Sequence, residues 1–420
     1  MRSFASSELP SQLNDFPTIK IRDPIHNTIY LLEDEKNIID TYDFQRLRRI
    51  HQTAFIQYAF PGATHTRFSH SLGAMHTVTQ MITRILRNQK ELLRKSKLLE
   101  IQQTAAAVDQ IQKDPYFIKC LRLAALLHDV GHSPLSHSGE IFLPSVDDIK
   151  STLQSKEIFE SLNTQYLHKA THELYSLYTV GELIEDKDLA RDTASLLSSY
   201  ISCKPKGLLD SSHLSGLLRS LISGHIDCDR MDYLQRDSYY CGVIYGYFDM
   251  GRLLDCLCFY WDEKTNQYAL AVKSQGVPAL EDFIHARWSM YRQVYFHKNS
   301  SACEAALKYF YTHHENIKLP LPGKEYLAVD DYNFYEYLQS KTSDPKFKEL
   351  LIDIFHRRVL WKKTQDEGTE YSHTINNLSD LTDKIKVLHN HKLENIKDHS
   401  PTIRQMDEKL KVEYKFNFSS

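Results

Sequence analysis

Along this chain, apolar residues return at spacings of three and four far more often than at two. Leu72, Met75, Val78, Met81, Ile82 and Ile85 form one stripe of a helix that starts near Thr66 and runs past Leu86. The same spacing predicts helices over Asp34–Gln52, Tyr116–Val130, His172–Ile184 and Thr193–Tyr200, a helix-rich stretch over Leu217–Tyr239 and a long helical stretch over Pro278–Glu315, with Gly131 as the stop after Val130. Strand signals are confined to Asn27–Leu32, read as a short strand, and Phe259–Val272, read as a small hairpin around the alternating Tyr268-Ala269-Leu270-Ala271-Val272. The expected fold is mostly α: a helical core with a small β-hairpin and a C-terminal helical subdomain.

Breaks in the pattern divide the chain. Residues 1–17 read as a loose polar segment, 18–317 as the core, and 318–420 as a charged C-terminal helical subdomain ending in a flexible tail. Residues 143–165 read as a polar excursion, Lys204–His213 as a loop rich in breakers, and Tyr58–Thr66 as a loop carrying Pro61-Gly62. With 42% hydrophobic and 25% charged residues, the chain has an ordinary soluble-enzyme composition. A net charge of −3 carries no basic excess, which argues against nucleic acid or an anionic membrane as partner. No window approaches the roughly 18 apolar residues of a membrane span, and Met1-Arg2-Ser3-Phe4-Ala5 lacks the apolar stretch of a signal peptide. Seven cysteines without a Cys-x-x-Cys pair fit free thiols in a reducing cytoplasm, with Cys256 and Cys258 read as small buried hydrophobes.

The 21 histidines concentrate in short clusters, and chemistry is sought there. His128-Asp129 closes an apolar helix and can present an imidazole and a carboxylate to one cation; alone it reads rather as a satisfied helix-end pair. His70 stands upstream in Thr66-Arg67-Phe68-Ser69-His70-Ser71-Leu72-Gly73, at a helix start. Asp229 stands downstream in Asp227-Cys228-Asp229-Arg230-Met231-Asp232-Tyr233. Two neutral imidazoles and two carboxylates would leave open positions for water and phosphate oxygens. Such a set suits one divalent metal per subunit: Mn, Fe, Co, Ni or Zn, or Mg through the carboxylates and water.

His132 and His137 follow the pair across a Gly/Ser/Pro loop, and His172 sits in Thr171-His172-Glu173. Each reads as a polar surface residue or as a donor to phosphate oxygens and a leaving group. Glu140 lies three residues after His137; on a helical turn it would face His137, raise its pKa and fix its orientation, making His137 the candidate general acid. Asp229, Tyr233 and Asp237 share one helix face, as do Arg287, Tyr291 and Tyr295 on a later helix. The spacing fits two readings equally: faces for phosphate, sugar and base, or a solvated polar stripe with tyrosines packed as core.

These blocks together resemble the HD-domain deoxynucleoside triphosphate triphosphohydrolases, whose ligand order is His…His-Asp…Asp. The resemblance runs from about Ile21 to Glu315. It also includes Asp23-Pro24-Ile25-His26, Ile39-Asp40-Thr41 through Phe44-Gln45-Arg46-Leu47-Arg48, Phe60-Pro61-Gly62-Ala63, and Arg292-Gln293-Val294-Tyr295 through His297-Lys298. It implies cleavage of a dNTP to deoxynucleoside and tripolyphosphate, serving dNTP-pool control or antiviral and phage defence. His70, His128, Asp129 and Asp229 would hold the metal, with additional Mg arriving with nucleotide. Arg67, His132, His137, His172, Arg230 and Arg287 would surround the triphosphate, while Gln52, Tyr233, Asp237 and Tyr295 would read the sugar. The resemblance further implies a homo-oligomer, dimer or tetramer, gated by a dNTP or GTP-type effector at Asp40, Gln45 and Arg48, with Lys273 and Lys298 near a second regulatory nucleotide. Two departures stand out: Glu140 replaces the vertebrate enzyme's aspartate, and Thr53-Ala54-Phe55 replaces a glycine-containing stretch. Two other functions share the same residues: an HD-type phosphodiesterase or nucleotidase on monophosphates, cyclic nucleotides or single-stranded DNA ends, and a nucleotide sensor with a relic site.

Overall fold

The longest element, the helix Arg67–Lys95, packs against two others that carry the chemistry, Pro115–Leu127 and Cys228–Cys241. The computed structural model describes residues 18–154, 169–198, 213–356, 369–375, 385–389, 392–405 and 410–416. The expected stripe from Leu72 to Ile85 is buried in the main core. Arg94 and Lys95 end the helix on its negative pole. Pro115–Leu127 starts where Asp114 accepts a hydrogen bond from the Tyr116 N–H at 2.9 Å, with proline in the first turn. From Cys120 to Leu127 every residue is buried, so the end of the helix that carries the His-Asp pair is enclosed. Of its two cations, Lys119 and Arg122, the second is fully buried. It is satisfied by a two-point pair with Glu35 at 2.6 and 2.7 Å and by Thr79 Oγ1 and Tyr30 O.

Several elements differ from the sequence reading. The stretch expected as one helix over Asp34–Gln52 is broken into Glu33–Ile39, Tyr42–Gln45 and a 3₁₀ turn, Arg46–Arg49. The break lies at Thr41, which is extended and whose hydroxyl caps the Phe44 N–H. Asn27–Leu32 is the expected strand, and it pairs antiparallel with a strand that was not expected, Thr18–Asp23. The hairpin Leu257–Asp262 with Gln267–Lys273 is present, and Lys386–His389 and Lys392–Asn395 extend it to four strands. Pro278–Glu315 divides into Val277–Met290 and Lys298–Thr312 around a π turn, Tyr291–Tyr295. The C-terminal region carries strands as well as helices: Thr369–Ile375 pairs with Leu410–Phe416. Tyr326, Phe334, Leu338, Leu351 and Ile354 join the same buried core as the central helices. The segment 1–17, most of the loop Lys204–His213, and residues 155–165 of the polar excursion lie outside the described residues. Cys256 and Cys258 are buried free thiols. No helix of the described residues is long and apolar enough to cross a membrane.

Gly131 serves close approach rather than a left-handed stop. A Cβ there would lie 2.1 Å from the Ser176 backbone nitrogen and 2.4 Å from the Tyr175 carbonyl carbon. Ser176 Oγ accepts from the Gly131 N–H at 3.0 Å and donates to the His128 carbonyl at 2.7 Å, so the contact fixes the end of the His-Asp helix. Gly131→Ala is expected to destabilise the protein by about 1–3 kcal/mol through overpacking. A urea midpoint equal to that of the unsubstituted protein would contradict this.

Candidate metal centre

Three helices deliver the donors. His70 stands in the first turn of Arg67–Lys95, His128 caps the end of Pro115–Leu127, and Asp229 lies in the first turn of Cys228–Cys241. Asp227 caps that last helix by accepting from the Arg230 N–H at 2.8 Å. One donor atom from each of His70, His128 and Asp229 lies within 4.8 Å of the other two. Asp229 Oδ1 is 3.0 Å from His70 Nε2 and 3.6 Å from His128 Nε2. Ligands at about 2.1 Å from one cation stand roughly 3.0–3.4 Å apart, so the spacing fits.

Hydrogen bonds settle which nitrogens are free. His128 Nδ1 donates to the Ala125 carbonyl at 2.8 Å, and its buried Nε2 has no hydrogen-bond partner. A buried lone pair left bare toward two carboxylates is what a cation would satisfy. Asp129 adds a carboxylate beside the three, with Oδ1 3.4 Å from His128 Nε2 and Oδ2 3.7 Å from His70 Nε2. Its Oδ2 also takes an ion pair from the buried Arg67. Burial opposes the charge on Asp129, but Arg67 and the neighbouring histidines hold its carboxyl below the usual range. Burial likewise opposes an imidazolium at His70, but hydrogen bonds to Asp229 and Asp232 outweigh it and bring its pKa up to about 10.

A second cluster borders the first. His132 is fully buried, stacks on His172 with ring centroids 3.8 Å apart, and has no hydrogen-bond partner at either ring nitrogen. Burial and the nearby Arg67 push its pKa well below the ordinary value. Glu140 accepts from His172 Nδ1 at 2.6 Å and from His137 Nδ1 at 3.3 Å. The closer partner of Glu140 is therefore His172, not the His137 that the spacing suggested. Burial disfavours both charges of the His172–Glu140 pair, but the bond to Glu140 raises the His172 pKa, and the bonds from His137 and His172 lower that of Glu140. His137, with 70% of its side chain exposed, is presented at the lip. The loop before it holds Leu135 and Ser136 at φ of 58° and 55°, a strained left-handed conformation for such residues. Asp331 steadies it by accepting from the Leu135 N–H at 2.7 Å, and Arg67 Nε donates to Ser136 Oγ at 2.7 Å.

The tyrosine face lies next to His70, whose ring centroid is 6.4 Å from that of Tyr233. Tyr233 neighbours Tyr295, which neighbours Tyr291, and the Arg287 guanidinium sits over the Tyr291 ring. Asp237 is buried, with Oδ1 taken by His65 Nε2 at 2.6 Å and Oδ2 by the Tyr295 hydroxyl at 2.7 Å. Gln52 Oε1 and Arg287 Nε are buried without a hydrogen-bond partner. Arg230 is paired with Asp227, and burial lifts the Asp227 pKa to about 6 despite that partner. On another face, Gln45 Oε1 accepts from Arg48 Nε at 2.8 Å, and the Arg48 guanidinium lies 3.5 Å from the centre of the Phe68 ring. Asp40 pairs instead with Lys36. Lys273 ends the hairpin and Lys298 opens the helix Lys298–Thr312, so both stand on other elements.

Comparison with known proteins then locates the chain. No protein-family model matches it. It is 31% identical over 292 residues to the deoxynucleoside triphosphate triphosphohydrolase SAMHD1 of Gallus gallus, covering 67% of this chain and 43% of that one. It is 31% identical over 342 residues to an uncharacterized protein of Methanocaldococcus jannaschii, covering 81% of this chain and 58% of that one. The chain belongs to the HD-domain phosphohydrolase family, with the SAMHD1 triphosphohydrolases among its relatives. It spans roughly half the length of these HD-domain relatives. A phosphohydrolase from Bacteroides thetaiotaomicron shares the fold at a TM-score of 0.66 and 21% identity, over 95% of this chain and 99% of that one.

Asp232, His65 and Asp331 belong to no motif that marks them for a role in this HD-domain chain. Asp232 stands three residues after Asp229, and a helical wheel alone would have set it one turn along the same face. No comparable signal marked His65 or Asp331, whose partners lie 172 and 280 residues away.

Proposed function

We propose that the protein is a metal-dependent triphosphohydrolase that cleaves a deoxynucleoside triphosphate to the deoxynucleoside and tripolyphosphate. The observation that carries this reading is the junction of two clusters: a cation cradle of His70, His128 and Asp229, with Asp129 beside it, bordered by the histidines His132, His137 and His172. A divalent cation held there would supply Lewis acidity toward phosphoryl oxygens and water. The cations Arg67, Arg230 and Arg287 offer positive charge to a polyphosphate, beside His172, whose pKa its bond to Glu140 raises against burial. His137, exposed and tethered by Glu140, is the general acid: it gives its proton to O5′ as the bond from O5′ to the α-phosphorus breaks and a water oxygen bonds to that phosphorus. Tyr233, Tyr291 and Tyr295 offer a wall for the sugar, with Asp237 and Gln52 as partners for the 3′-hydroxyl. Rejection of a ribose by shape alone is weak, so the preference for a deoxy sugar is read by including ribonucleoside triphosphates in the substrate panel.

The test is a panel of dNTPs and ribonucleoside triphosphates, singly and in pairs, with Mg or Mn, read by ion exchange. Tripolyphosphate is the expected product. Monophosphate would favour the phosphodiesterase or nucleotidase reading, and bound but uncleaved nucleotide the sensor reading.

Regulation is proposed at Gln45 and Arg48, with Asp40 and, from other elements, Lys273 and Lys298. Gln45 and Arg48 are already joined, and Arg48 rests on Phe68, the residue after Arg67. An effector there would touch the helix that bears His70. A guanine nucleotide fits the donors and acceptors. Native mass spectrometry is expected to show a dimer or tetramer that strengthens with a dNTP or GTP; a monomer with every nucleotide tried would refute the proposal. A cytoplasmic location accords with the free thiols.

A further inference from the structure

Behind His70, on the side away from the cation cradle, lies a buried charged network that the reaction above does not use. At its centre is Asp232, fully buried on the helix Cys228–Cys241. Its Oδ2 accepts from His70 Nδ1 at 2.7 Å and from Arg236 Nε at 2.8 Å. Its Oδ1 accepts from His26 Nε2 at 2.6 Å and from Arg236 Nη2 at 2.9 Å. A carboxylate offers about four lone-pair sites, so this one is saturated and cannot rotate away. Asp23 holds Arg236 from the far side at 2.8 Å and also accepts from the His26 N–H at 2.9 Å. Gly73, one turn beyond His70, makes the room: a Cβ there would lie 2.0 Å from Asp232 Oδ1 and 2.3 Å from Arg236 Nη2.

We propose that Asp232, clamped by Arg236 and His26, is a positioning residue that fixes His70 with its hydrogen on Nδ1 and its Nε2 lone pair aimed at the cation. This rests on reading His70 as a metal ligand. An acceptor-only carboxylate can face Nδ1 only if that nitrogen carries the hydrogen, which leaves Nε2 bare in the neutral ring. The negative charge behind the ring also makes Nε2 a stronger donor to a metal. A buried ion pair is weak support for stability, since apolar packing of equal volume often does as well. Its place directly behind a candidate ligand points to orientation instead. The Asp23-Pro24-Ile25-His26 block thereby gains a purpose: its turn brings two members of the network to the same spot.

The probe is Co(II) alone, titrated into metal-stripped protein, with uptake read by chelator competition and by visible absorption. Asp232→Asn keeps the volume but offers one oxygen where two took four donors. We expect its Co(II) affinity to fall about 10- to 100-fold, the usual cost of losing such a partner. Asp23→Asn loosens the same Arg236 without touching His70, and should stay near the unsubstituted affinity with an unchanged Co(II) spectrum. Equal losses in both variants, or no loss in Asp232→Asn, would overturn the positioning role. An unsubstituted protein that takes up no Co(II) would overturn the metal reading beneath it. If Asp232→Asn does not fold, nitrogen-15 histidine spectra of the zinc-loaded unsubstituted protein decide the matter. A hydrogen on His70 Nδ1 supports the proposal, and its absence refutes it.

Discussion

His128→Ala is expected to abolish tripolyphosphate release while leaving the fold in place. The side chain makes one hydrogen bond, to the Ala125 carbonyl, and its buried Nε2 makes none, so the protein itself loses little. What would be lost is one of the four proposed donors to a cation, and with it several kcal/mol of charge stabilisation in the transition state. Asp129→Ala should be equally inactive but less stable, because the buried Arg67 would be left without its carboxylate. The two variants thus separate chemistry from folding: both lose turnover, and only the second lowers the melting temperature appreciably. Metal content and rate should be measured on the same samples. A variant that retains its metal and turns over near the normal rate would dispose of the cradle as the catalytic centre.

The contrast between these residues and Asp232 bears on what the sequence can disclose. His70, His128 and Asp229 were legible because each sits in a short block of local character, at a helix start, a helix end and a helix first turn. The long stripe from Leu72 to Ile85 was legible for the same reason: its neighbours are its partners, three and four positions away. Asp232 gains its meaning from His26 and His70, 206 and 162 positions distant, and no local rule reaches that far. The break at Thr41 was missed because a hydroxyl cap outweighed the apolar spacing on either side. The tyrosine face shows the opposite limit. Spacing left a substrate face and a solvated stripe equally open, and burial rather than pattern tells against the solvated stripe: Asp237 is enclosed, with both oxygens taken by His65 and Tyr295.

His137→Ala should leave the metal bound and slow hydrolysis by about 100- to 10,000-fold, the usual contribution of a positioned acid. The choice between His137 and His172 turns on Glu140, which is shared unequally. The tighter bond raises the pKa of His172 against the burial that opposes it and holds its ring in place, which suits it to contact phosphate oxygens. The looser bond and the exposed ring leave His137 free to approach O5′ and to be reprotonated from solvent. The two histidines therefore predict different kinetics. His137→Ala should lower kcat with KM little changed, since its interaction develops only as the bond breaks. His172→Ala should raise KM as well, because a ground-state contact to the polyphosphate is lost. A dNTP analogue whose leaving group needs no proton sharpens the test: it should restore the rate of His137→Ala toward that of the unsubstituted protein and do little for His172→Ala. Rescue of His172→Ala alone would move the acid from the exposed ring to the buried one.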